Sequence, residues 1–157
     1  MKLAPSPDGG LRLEVESSAD WHLLLGILHD AQGAGFDLAS HTAGRMARTA
    51  DWRDWEELVL PDIREEFLAQ LKTVLIAIES ARLESAGGPG QLWITRDDAF
   101  HWYSSLNQAR LALEAIHHFG AAPSIDPGRL SKASLKAFIR IQFYGAVQSF
   151  LLDMGLG

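Results

Sequence analysis

Leu11, Leu13 and Val15 alternate with Arg12, Glu14 and Glu16, and this period of two predicts a short strand with one buried face. The period then lengthens. Ser17, Ser18 and Asp20 offer caps for a helix on which Trp21, Leu24, Leu25 and Leu28 share a face, ending near Gly33. Residues 34–50 are small and polar with little periodicity, and read as a loop or a short irregular helix. Trp52, Trp55, Leu58 and Val59 return to helical spacing, and Pro61, whose ring fits a helix's first turn, opens a further helix. Ile63, Phe67, Leu71, Val74, Leu75 and Ile78 line it to about Leu83, before Gly87-Gly88-Pro89-Gly90 stops it.

Gln91 to Thr95 reads as a second strand, able to pair with the first as a two-stranded ribbon. Thr95 and Asp98 make a capping-box-like start, so a helix is expected from about Arg96, with Ala99, Trp102, Leu106, Ala109, Leu113 and Ile116 on one face. After the turn Pro123–Gly128, the last helix is placed from Arg129 or Ser131 to Asp153. Its apolar positions, among them Leu135, Phe138, Ile141, Phe143, Val147 and Leu151, cover a wide arc, as expected of a helix central to a bundle or partly covered by another subunit. The fold class that follows is mainly α, a single-domain bundle of four or five helices with a minor two-stranded β-ribbon, over residues 11–157. Residues 1–10 read as a flexible tail without the apolar stretch of a signal peptide, which points to a cytoplasmic protein.

Composition narrows the chemistry. The 157 residues contain no cysteine, which removes disulfides, thiol nucleophiles and thiolate metal sites. A net charge of −6 works against direct nucleic-acid binding, whose affinity comes from phosphate contacts. The charge is uneven: Asp51 to Glu66 carries seven acids against two arginines, whereas Pro127 to Gly157 carries Arg129, Lys132, Lys136 and Arg140 against Asp153 alone. The run Leu135–Leu152 is interrupted by Lys136, Arg140, Gln142 and Gln148, so no membrane span is expected.

No Gly-x-Ser-x-Gly elbow, phosphate loop or HExxH pair occurs, so no catalytic residue and no cofactor is assigned. Glu114-x-x-His117 has the spacing used in di-iron bundles, but a second copy is missing, and no metal site is expected. The informative positions are Asn107, Arg110 and Glu114, which share a strip beside the apolar face, with Tyr103 and Asp97 as extensions. Two readings stand: a polar pocket recognising an anion or a partner's backbone, or a buried network with Arg110 paired to a carboxylate such as Asp62 or Glu66. Trp52, Arg140 and Phe143 are candidate interface residues, for a protein partner or self-association.

Leu106-Asn107-x-x-Arg110-Leu111-x-Leu113, together with Leu60-Pro61-Asp62 leading to Glu66-Phe67, resembles the bacterial domain of unknown function 2017 family over Leu58 to Asp153. The resemblance implies a small cytoplasmic, mainly helical protein without established enzymatic activity, with actinobacterial relatives linked to stress-response regulation through protein partners. Cysteine-based redox regulation cannot carry over to a chain with no cysteine. The expected function is therefore a non-catalytic protein-interaction or regulatory module, with a small-molecule binder or enzyme around Asn107, Arg110 and Glu114 as the alternative.

Overall fold

The computed structural model describes residues 1–33, 39, 57–120 and 125–155. Strands β1 (Lys2–Pro5), β2 (Leu11–Val15) and β3 (Gly90–Ile94) form an antiparallel sheet in the order β1-β2-β3. Among the described residues four α-helices pack around it: α1 (Ser18–Gln32), α2 (Leu60–Glu84), α3 (Ala99–His117) and α4 (Lys132–Asp153). The protein is mainly α with minor β, as the periodicities predict, but the sheet has three strands rather than two.

The extra strand lies inside the expected flexible tail. Leu3 pairs with Leu13 in the ladder and packs against the core, while the Met1 ammonium donates to Glu16 at 2.8 Å, so this segment is tied down at both levels. The tight turn back into β2 depends on Gly10, since a Cβ there would lie 2.3 Å from the Ile94 carbonyl oxygen. Strand β2, central in the sheet, turns Leu11, Leu13 and Val15 inward, where they meet Leu92 and Ile94 of β3 beneath the helices. On the outer face, Arg12 lies over the Trp93 ring at 5.7 Å and meets Glu14 at 2.8 Å, so the polar half of the alternation also pairs.

Helix α3 is the hub, packed against α1, α2 and α4, with Trp102, Leu106, Ala109 and Leu113 in the core. This corrects the expectation that the last helix is central. Helix α4 buries Ala137, Tyr144, Val147, Gln148 and Leu151 but leaves Ile139, Phe150 and Leu152 exposed, so its wide apolar arc is only partly used. The start of α3 also shifts. Thr95 Oγ1 accepts the Asp98 N–H at 3.1 Å and donates to the Asp98 carboxylate at 3.0 Å, but this reciprocal pair closes a turn, and regular helix begins three residues later than expected. For α4 the Ser131 alternative holds: its hydroxyl accepts the Ser134 N–H. Trp52, Trp55 and the uncertain segment 34–50 lie outside the described residues, Ala39 apart, which packs against Leu60. Among the described residues, no helix is long and apolar enough to cross a membrane.

Candidate functional site

The polar strip of α3 opens onto a concavity of about 380 Å³ between α3 and α4. Asn107, Arg110 and Glu114 supply its polar side at successive helical turns, and Phe138, Ile141 and Gln142 of α4 form the opposite wall. Phe119 and Ile125 close one end, with the Phe119 ring edge-on to Phe138 at 5.7 Å. Three of the residues singled out from the sequence therefore converge on one surface depression.

Arg110 does not meet Asp62 or Glu66. Its Nη1 donates to the Gln148 side-chain oxygen, and Gln148 Nε2 donates in turn to the Tyr103 backbone carbonyl at 3.2 Å. The partner is a neutral amide, and Arg110 Nε has no hydrogen-bond acceptor. No carboxylate lies within ion-pair distance of Arg110 among the described residues, so none of them neutralises the guanidinium charge. Glu114, four residues on, accepts the Gly120 N–H at 2.8 Å, holding the chain as it leaves α3 through His118 in the left-handed conformation.

The other predicted positions divide. Tyr103 contributes its backbone carbonyl and packs its ring against the core, outside the concavity. His117 stacks on Phe119 at 5.3 Å and lies 3.2 Å from the Ser134 hydroxyl, a structural tie between α3 and α4. Asp97 borders a different depression of about 420 Å³ at the far end of α4, with Arg96, Phe100 and Met154. No group of three or more potential metal-ligating side chains occurs among the described residues.

Arg140 and Phe143, the two candidate interface residues among the described ones, are both engaged within the chain. Arg140 makes a two-pronged contact with Asp30 of α1, Nε to Oδ2 at 2.7 Å and Nη2 to Oδ1 at 3.1 Å, and the Tyr144 hydroxyl donates to the same carboxylate at 2.7 Å. The hydrogen bond to Asp30 raises Arg140 above its ordinary range, while burial, and then the bond to Asp30, pushes the Tyr144 phenol far up. Gly26 makes room: a Cβ there would sit 3.1 Å from the Tyr144 hydroxyl. Phe143 is half-buried against the core, edge-on to Tyr144 at 5.9 Å.

Sequence reasoning missed Asp30 and Gln148, and a signal existed for both. Asp30 follows the buried Ile27 by three residues, and Gln148 follows the buried Tyr144 by four, so each polar group sits on a core-facing seam where it needs partners.

No curated protein and no solved structure matches this chain. A family model described as a domain of unknown function, DUF2017, matches residues 39–154, which include α2, β3, α3 and α4 and so every wall of the concavity. Strands β1 and β2 and helix α1 precede the matched region, yet they supply Leu11, Leu13, Trp21 and Leu24 to the same core. With well over half its length matched, and the Asn107 and Arg110 motif positions inside the match, the chain belongs to the DUF2017 domain family.

Proposed function

We propose that this protein is a non-catalytic interaction module of the cytoplasm, with a regulatory role, that docks a segment of another protein in the concavity between α3 and α4. One observation carries the reading: an arginine without a carboxylate partner among the described residues stands at an apolar depression formed by Phe119, Phe138 and Ile141. Such a site suits a peptide segment presenting an apolar side chain beside an acidic group, the first filling the depression and the second taking the guanidinium. The lack of a Gly-x-Ser-x-Gly elbow, an HExxH pair or a phosphate loop in the sequence supports a binding rather than a catalytic use.

A small-molecule ligand is the second reading, favoured by a volume inside the range of ligand pockets, roughly 300–1,000 Å³. Parallel pull-downs from host lysate with wild type and Arg110→Ala, both verified as folded by thermal melts, test the first. The expected result is a protein retained by wild type and lost by the variant. A melting-temperature rise with an anionic metabolite that Arg110→Ala abolishes, and no Arg110-dependent protein, would replace the first reading by the second. Retention of the same protein by both variants removes the concavity as its docking site.

A further inference from the structure

The outward side of α2 carries a stripe that the bundle leaves uncovered. Leu68, Leu75, Ile76 and Leu83 are 55%, 40%, 55% and 74% exposed. With Lys72 and Glu79 they fall within an arc of about 100° on the helix, turned away from Leu71, Val74 and Ile78, which face the core. Their order is what matters. Starting from Leu68 the stripe reads apolar, positive, an apolar pair, negative, apolar, so it repeats itself when reversed except that the charge changes sign. Lys72 and Glu79 are equidistant from the midpoint between Leu75 and Ile76, and so are Leu68 and Leu83.

A surface with this symmetry complements itself. A two-fold axis through the midpoint lays α2 of a second copy antiparallel on the first, bringing each Lys72 to the other copy's Glu79 and each Leu68 to the other copy's Leu83. Within its own chain Lys72 has no ion-pair partner among the described residues, and Glu79 engages only Arg82, at 3.1 Å through one carboxylate oxygen. We infer that the protein forms an isologous dimer through α2 in this register. The four apolar side chains expose on the order of 400 Å² per copy, the size of the largest apolar patch on a typical monomer, which is often a functional one. Two copies with the flanking stems bury roughly 1,000 Å², the lower end for specific interfaces, so the dimer dissociates reversibly. The apolar residues supply the association and the charge pairs set direction and register. Helix α2 contributes nothing to the α3–α4 concavity, so this inference stands apart from the docking reading above.

The cysteine-free chain allows a direct register test. Leu68→Cys and Leu83→Cys variants of the full chain are oxidised mildly, each alone and as an equal mixture, beside sedimentation equilibrium of wild type. The expected results are a monomer–dimer equilibrium in the micromolar range and covalent dimers at least about tenfold more abundant in the mixture than in either variant alone. Lys72→Glu then weakens dimerisation about tenfold, and adding Glu79→Lys restores it to within about twofold, since both positions are surface charges. A wild type that stays monomeric to high micromolar concentration overturns the inference, and so does cross-linking without preference for the mixture or a charge reversal without recovery.

Discussion

Two arginines, Arg140 on α4 and Arg110 on α3, each reach across to a neighbouring helix and meet opposite partners. Arg140 finds the carboxylate of Asp30, itself 5% exposed, and shares it with the Tyr144 hydroxyl, so donors and acceptor are matched in charge and in geometry. Arg110 finds the amide of Gln148, which satisfies one nitrogen and leaves the charge without a counterpart among the described residues. The first arrangement clamps α1 to α4. The second holds a guanidinium at the edge of a depression with no carboxylate beside it among the described residues. A fully engaged cation belongs to the fold, and a partly engaged one beside an apolar wall is where a ligand gains most.

Removing the Asp30 carboxylate gives the largest expected effect. Asp30→Ala leaves Arg140 and the Tyr144 hydroxyl without their acceptor and should destabilise by about 2–4 kcal/mol in urea denaturation, the partial exposure of Arg140 keeping it below the full burial penalty. A loss under about 1 kcal/mol would erase the distinction between the two arginines. The distinction sharpens in paired double-mutant cycles, where Asp30 with Arg140 should couple by roughly 2 kcal/mol and Arg110 with Gln148 by less than about 1 kcal/mol.

Tyr144→Phe removes one donor to Asp30 and should cost about 1–2 kcal/mol. The same hydroxyl sets a pH dependence. With its folded pKa raised far above its ordinary value near 10, Tyr144 keeps its proton in the native state while the unfolded chain releases one. Its contribution is thus fully present below about pH 10 and declines as pH rises beyond it. In absorbance titrations one of the two tyrosines should stay un-ionised until alkaline unfolding, and Tyr144→Phe should flatten the decline. Phenolate formation by Tyr144 in the folded protein would contradict this.

Arg110→Ala should cost only about 1 kcal/mol, chiefly from the stranded Gln148 oxygen, while abolishing Arg110-dependent binding. A cost rivalling that of Asp30→Ala would make Arg110 structural. The smallest expected effect is Ser131→Ala, which deletes the cap of α4 and should lower stability by about 0.5–1 kcal/mol without altering either arginine.

Much of the architecture is legible along the chain. The strand at Leu11–Val15, the helix following Pro61 and the α4 start at Ser131 are written in periodicities and caps that act over a few residues. The first strand was not legible, because Lys2–Pro5 is short and gains its place from β2 rather than from its own pattern. For the candidate site, Asn107, Arg110 and Glu114 were legible as one strip because i, i+3 and i+4 spacing is a property of a single helix. Phe138, Ile141 and Gln142 could not be added to it, since they reach the site only when α4 packs back on α3.

The helices and strand β2 thus follow largely from the sequence, as local backbone geometry repeats at fixed periods, whereas β1 and the exposure of Leu75 and Ile116, placed by periodicity on core-facing stripes, do not. Which arginine is spent on the fold was decided only by tertiary structure. Asp30 and Arg140 are 110 residues apart, and no spacing rule joins them; they meet because the long side chains of Arg140 and Tyr144 reach from α4 to α1 beside Gly26, whose missing side chain admits the Tyr144 hydroxyl. Arg110, equally charged and equally helical, lies where packing offers an amide instead of a carboxylate.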